Sequence, residues 1–126
     1  MLAGLPILIV EDETFVAINL ACAVERLDGT VLGPVASVAD AMTLLATGNV
    51  AAAIVDANLI DRVTPLALVL VEKAVPFVIY CSEGLPEELA AVHPNLPVVM
   101  KPATPNIVLA NLFDQIDLAG RKQAAS

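Results

Sequence analysis

Positive charge is what this chain has least of. Six Lys and Arg stand against fourteen Asp and Glu, for a net charge of −8 and a pI near 4.3. Such a field repels phosphate backbones, and the six cations form no cluster, which excludes direct nucleic-acid binding. Cysteine is as sparse: Cys22 and Cys81 have no metal-ligand spacing, and one histidine, His93, is all that could assist them. They read as reduced, mostly buried thiols of a cytoplasmic protein rather than a disulfide framework. Charged residues make up only 16% against 58% hydrophobic, with mean hydropathy +0.81. A membrane span is nonetheless missing. It needs about 20 consecutive apolar residues, and the longest charge-free stretch, Ala41 to Val55, is broken by Thr47-Gly48-Asn49. The opening Met1–Pro6 has no positive flank and runs into Glu11-Asp12-Glu13, so it is no signal peptide. At 126 residues and 13.1 kDa, the length suits one domain with a real core.

What is present alternates strand with helix. Leu5–Val10 is a short apolar run ending in acids, as a strand covered on both faces does. Residues 14–27 then change period, with Phe15, Ile18, Ala21/Cys22 and Leu27 on one helical stripe, stopped by Asp28-Gly29. Thr30–Ala36 is a second strand, and Gly33-Pro34 marks it as an edge. Ser37 caps a helix over Val38–Ala46 that Gly48 closes. Val50–Val55 is a third strand, ending at Asp56. Asn58–Thr64 is a polar loop, and Pro65 opens a helix to about Lys73. Pro76–Cys81 is a fourth strand, Pro86-Glu87-Glu88 starts a short helix, and Leu96–Met100 is a fifth strand. Thr104-Pro105 caps a last helix to about Leu118, and residues 119–126 read as a frayed tail. Units of this kind predict an α/β fold: a flavodoxin-like (βα)5 doubly wound parallel five-stranded sheet of order 2-1-3-4-5, one domain over 1–126 with its core at about 5–118.

In such sheets ligands sit beyond the carboxyl ends of the strands at the switch point, here between the first and third strands. Glu11-Asp12 and Asp56 therefore converge on one crevice. Unneutralised, they raise one another's pKa values. A divalent cation removes the conflict, and an all-oxygen set suits Mg²⁺. The fifth strand ends in Lys101-Pro102, a fixed cation for an anion, and the fourth in Cys81-Ser82, a thiol and a hydroxyl on the same rim. Carboxylate nucleophile, metal, cation and donor together describe acyl-phosphate chemistry on an aspartate.

The segments Ile-Leu-Ile-Val-Glu-Asp-Glu (7–13), Ala-Ala-Ile-Val-Asp-Ala-Asn-Leu (52–59), Pro-Phe-Val-Ile-Tyr-Cys-Ser (76–82) and Val-Val-Met-Lys-Pro (98–102) resemble the receiver domain of bacterial two-component response regulators, of the stand-alone type. The resemblance implies Asp56 as phosphoacceptor and Mg²⁺ on Glu11, Asp12, Asp56 and the Asn58 backbone carbonyl. It also implies Lys101 on the phosphoryl group, a cis Lys101-Pro102 bond, and Asn58 and Glu83 tuning water access. The phosphoryl group would come from the phosphohistidine of a sensor histidine kinase or phosphotransfer protein. The protein would then catalyse its own phosphorylation and dephosphorylation without being a turnover enzyme, and would regulate a partner. A weaker resemblance, to single-domain receivers with a Pro-Phe-x-Phe-Ala-Thr-Gly type motif, rests on Pro76-Phe77 and Asp56-x-Asn58-Leu59.

Two positions depart from the family pattern. The switch hydroxyl position falls on Cys81, a weak donor, leaving the role to Ser82 if the strand slips by one. The aromatic switch position falls on Val98, and Tyr80, the one tyrosine, reads as core. These departures favour the alternative, a pseudo-receiver that binds partners without taking phosphate; the four charges Glu11, Asp12, Asp56 and Lys101 oppose it. Asn58 stands where an Asp-nucleophile phosphatase would carry a second Asp, and Ser82 lacks a nucleophile elbow. His93, beside Pro94 in a loop, reads as unrelated to the site. The helix from Pro65 is apolar nearly all round, and the last helix carries Ile107, Val108, Leu109, Leu112, Phe113, Ile116 and Leu118. That excess predicts an interface, a homodimer or kinase docking.

Overall fold

A computed structural model of the chain describes residues 2–59 and 61–125, with side chains as far as Arg121. Ile60, inside the expected polar loop, and Ser126, at the end of the expected tail, lie outside the described residues. The order of elements is β1 (Pro6–Val10), α1 (Thr14–Arg26), β2 (Thr30–Val35), α2 (Val38–Ala46), β3 (Ala52–Asp56), α3 (Thr64–Glu72), β4 (Phe77–Cys81), α4 (Glu87–Val92), β5 (Val98–Met100) and α5 (Pro105–Ala125). The five strands are parallel in the order β2-β1-β3-β4-β5, as the alternation of strand and helix predicts. The expected boundaries hold to within a residue or two everywhere except at the end of α5. No described helix is long and apolar enough to cross a membrane.

Every residue of β3 and β4 is buried, because helices cover both faces and successive side chains alternate between them. Leu8, Val10, Val55, Ile79 and Cys81 pack on one side against Leu45 of α2, Leu66 and Leu70 of α3 and Leu89 of α4. Ile7, Ile9, Ile54, Val78 and Tyr80 pack on the other against Leu20 and Val24 of α1 and Leu109 and Leu112 of α5. This sandwich carries the charged ends of β1, β3 and β5 to one edge. At the rim strand β2, Gly33 has φ +91°, and a Cβ there would lie 2.6 Å from the Val35 nitrogen. The bond to Pro34 is cis, as is Lys101-Pro102. The ladder with β1 shifts register between Leu8 and Val10 at the same place, consistent with an edge strand that tolerates proline.

Three expectations are corrected. The stripe through Phe15, Ile18 and Cys22 is not the buried face of α1: Phe15 is 84% and Ile18 50% exposed, and Cys22 is exposed too. Ala17, Leu20, Ala23 and Val24 face the sheet instead. Apolar residues occupy most of this helix, so periodicity alone does not single out its buried face, and small alanines let the helix approach the strands more closely. Of the two cysteines only Cys81 is buried. The last helix runs further than the expected end near Leu118, α5 continuing through Gly120 to Ala125. One glycine costs a helix only about 1 kcal/mol, and Arg, Lys, Gln and Ala on its far side are good helix formers. The wide stripe of α5 is largely used in packing: Val108, Leu109 and Leu112 are buried and Phe113 and Ile116 lie against them. Ile107 and Leu118 stay exposed.

Candidate functional site

The site forms where β1, β3 and β5 end. Glu11 follows β1 directly, its N–H donating to the Val35 carbonyl (2.9 Å), which fixes its side chain inward. Asp56 closes β3. Both residues are 3% exposed. Asp12 sits beside them, exposed, and carboxylate oxygens of Glu11, Asp12 and Asp56 lie within 4.8 Å of one another. The Lys101 N–H donates to the Cys81 carbonyl (2.7 Å), extending the β4–β5 pairing by one residue. From there Nζ reaches Asp56 Oδ1 at 3.1 Å and Glu11 Oε1 at 4.0 Å. The Asn58 N–H donates to Asp56 Oδ1 at 2.9 Å, the two-residue turn by which an aspartate organises its own loop.

The charges are unequally satisfied. Burial, then the facing Asp56 carboxylate, pushes Glu11 up to about 8 from 4.5, against smaller pulls from the Glu13 N–H, which donates to Glu11 Oε2 at 3.3 Å, and from Lys101. Glu11 Oε1 is buried without a hydrogen-bond partner. Burial alone would raise Asp56 as well, but Glu11, the Asn58 N–H and the Lys101 ammonium outweigh it and hold Asp56 below its ordinary value of 3.8. Lys101 loses some affinity for its proton to burial and regains more from Asp56 and Glu11, ending above 10.5. One carboxyl that prefers a proton next to one that prefers to stay ionised is an anionic pocket short of cationic charge. Its hard oxygen donors and orphaned Glu11 oxygen fit a magnesium ion.

The rim is built by the loops after β3 and β4. The Asn58 side-chain amide donates to Ser82 Oγ (2.8 Å), joining the two. Asp61 Oδ2 accepts from the Val38 N–H at the start of α2 (2.9 Å). Arg62 pairs with Glu88 of α4, and Thr64 Oγ1 donates to the same carboxylate (2.9 Å).

No family model and no curated protein matches the chain. Solved structures do. SdrG from Sphingomonas melonis Fr1 is 35% identical over 90% of this chain and 99% of its own, with TM-score 0.72. The chain belongs to the receiver-domain family of response regulators. A solution structure of the BeF3-activated conformation of SdrG from Pseudomonas melonis Fr1 is likewise 35% identical, over 92% of this chain and 98% of that one (TM-score 0.70). A response regulator receiver protein from Sinorhizobium medicae WSM419 shares the fold at 18% identity, over 94% of this chain and 99% of its own (TM-score 0.79).

The receiver brings Glu11, Asp12, Asp56 and Lys101 together as their positions at strand ends predict. Asn58 joins through its own N–H and amide. Cys81 and Ser82 part company: the Cys81 thiol turns into the core, 3.8 Å from Met100 Sδ, and burial raises its pKa, whereas Ser82 is exposed on the rim. Val98 lies in β5 opposite Ile79, with no ring to place at the site. His93 ends α4, outside the site. Nothing in the sequence signalled that Arg62 and Thr64, at the start of α3, meet Glu88 of α4, or that Asp61 meets the start of α2. Sequence reasoning also missed the hydroxyl of Tyr80, which meets the β5–α5 turn at Ala103.

Proposed function

We propose that this receiver takes a phosphoryl group from a phosphohistidine onto Asp56 and thereby regulates a partner protein. One observation carries the reading: a buried, ionised Asp56 lies 3.1 Å from the Lys101 ammonium and beside two further carboxylates, charges that packing does not require. In the transfer an Asp56 oxygen forms its bond to phosphorus as the phosphorus–nitrogen bond breaks in line, and the imidazole nitrogen keeps the electron pair. Lys101 stabilises charge gathering on the phosphoryl oxygens. Mg²⁺, held by Glu11, Asp12, Asp56 and the Asn58 carbonyl, would supply the remaining positive charge. Water attack on phosphorus later regenerates the Asp56 carboxylate, with Asn58 and Glu83 at the approach.

The SdrG relative at 35% identity has a BeF3-activated conformation, which supports the same use of this site. On this reading Ser82, joined to Asn58 across the rim, is the switch hydroxyl, and Cys81 is packing. Phe15 and Ile18, exposed on α1 directly after Asp12, offer the apolar surface on which a phosphodonor protein docks. A pseudo-receiver fits poorly, because a module that never binds phosphate has no use for a buried Asp56–Lys101 pair.

Incubation with acetyl phosphate and Mg²⁺, followed by intact mass, is the test. Wild type gains the mass of one phosphoryl group and Asp56→Asn gains none. An unmodified wild type, or equal modification of both, refutes the proposal.

A further inference from the structure

The phosphoacceptor reading leaves one polar group of the core unused, the Tyr80 hydroxyl. Tyr80 is 7% exposed and packs among the residues between the sheet, α1 and α5. Phenylalanine would fill that space. The hydroxyl instead donates to the Ala103 carbonyl at 2.9 Å and accepts from the Ala103 N–H at 3.3 Å. A phenol has one hydrogen to give and lone pairs to receive with, so both capacities are spent on one residue, two positions beyond Lys101. The ring acts on Lys101 itself: its centroid lies 4.9 Å from Nζ, within reach of the attraction between an ammonium and an aromatic face. With the Lys101 N–H held by Cys81, the lysine is fixed at its backbone from both sides and at its tip.

Resting on that reading, we propose that Tyr80 is the positioning residue for Lys101, holding the ammonium over Asp56 so that it meets the phosphoryl anion. A lysine stem has four flexible carbons and no planar fork to orient it, so an ammonium that must sit 3.1 Å from Asp56 gains from an external guide. The consequence has a sign that plain core packing lacks. Lys101 attracts an anion in the site and repels a divalent cation. Loosening it weakens anion binding and leaves cation binding unchanged or tighter, whereas loss of packing weakens both.

The test uses the full chain, with Mg²⁺ alone and beryllofluoride in saturating Mg²⁺ as probes, both titrated by calorimetry. Tyr80→Leu is expected to weaken beryllofluoride about tenfold and Tyr80→Phe, which keeps the ring, about threefold. Neither weakens Mg²⁺. In a Lys101→Met background, Tyr80→Leu causes no further loss of beryllofluoride affinity. Unchanged beryllofluoride affinity in both variants, or a parallel loss of both probes, overturns the proposal. A second measurement needs no phosphoryl mimic: the ring shifts the Lys101 ε-methylene protons upfield in the wild type, and Tyr80→Phe preserves that shift. An unshifted methylene in the wild type overturns the positioning role. If the wild type binds no beryllofluoride, the phosphoacceptor reading fails, and the methylene shift still decides for or against Tyr80.

Discussion

Replacing Glu11 by glutamine is expected to stabilise the metal-free receiver, and by more as the pH rises. The Glu11 side chain is 1% exposed, one of its oxygens is unpartnered, and its pKa stands near 8 rather than 4.5. Between those two values the unfolded chain is ionised while the folded chain keeps a proton, so folding stability falls as pH rises through the window and levels off above about 8. Each pH unit within it is worth about 1.4 kcal/mol, which puts the cost at roughly 3–4 kcal/mol at neutral pH. Glutamine keeps the shape, offers an N–H toward Asp56 as the protonated acid does, and never ionises. Asp56 does not confuse the comparison. Its pKa is lowered below 3.8, so its stabilising contribution is lost only on acidification below that value.

Urea denaturation in EDTA at intervals from pH 5 to pH 9 measures the difference between Glu11→Gln and wild type. That difference should be small at pH 5, grow through neutrality and plateau above pH 8. Saturating Mg²⁺ should close the gap by stabilising the wild type more than the variant, since the ion takes the place of the missing countercharge. A pH-independent difference, or a wild type more stable than the variant at pH 8 in EDTA, refutes the reasoning.

The same proton must leave before a cation can use Glu11, so Mg²⁺ affinity measured by calorimetry should climb with pH, by up to about tenfold per unit below pH 8, and then flatten. Phe15→Asp changes an exposed side chain and should alter stability by less than about 0.5 kcal/mol. It should slow phosphotransfer from a protein donor about tenfold while leaving labelling by acetyl phosphate intact; slowing of both would place Phe15 in folding rather than docking. Gly120→Ala should raise the thermal midpoint, by up to about 1 kcal/mol of stability, because nothing lies within 4 Å of the new methyl and the helix continues past it. No change would mean that α5 ends near Leu118. Ser82→Ala removes the acceptor for the Asn58 amide and should leave the extent of Asp56 phosphorylation unchanged. It should reduce the beryllofluoride-induced chemical-shift changes in α4; undiminished shifts would return the switch role to another residue.

The fold was legible because its signals are redundant. β1, β3 and β4 are short apolar runs without alternation, the helices between them carry caps and stops such as Ser37 and Gly48, and only a parallel sheet satisfies both. In a parallel sheet of this order, the chain then puts Glu11, Asp56 and Lys101 at one edge. The buried face of α1 was not legible. Where nearly every position from Phe15 to Val24 is apolar, hydrophobicity no longer identifies a face, and the steric fit of Ala17 and Ala23 against the sheet decides. The end of α5 misled for the opposite reason, a single local breaker set against strong helix formers on its far side.

Within the site, the sequence told which groups meet but not how they divide the charge. Glu11 and Asp56 are equally buried carboxylates, yet one is driven toward its proton and the other away from it. The difference comes from how the neighbours divide: Asp56 accepts from protonated Glu11, Lys101 lies nearer to Asp56, and the Asn58 N–H reaches Asp56 at 2.9 Å whereas the Glu13 N–H reaches Glu11 at 3.3 Å. On the phosphoacceptor reading that asymmetry suits Asp56 to the nucleophile's part, since its carboxyl is held below the ordinary range while that of Glu11 is pushed up. Moving the ammonium away raises Asp56 more than Glu11 and so narrows the gap between the two acids. Any change that draws Lys101 away from Asp56, at its own side chain or at Tyr80, should therefore bring the two carboxyl titrations closer together, an outcome that carbon-13 spectra of labelled Asp and Glu read directly. Titrations that stay as far apart in Lys101→Met as in the wild type would show that the hydrogen bonds at the pair, not the lysine, separate the two acids.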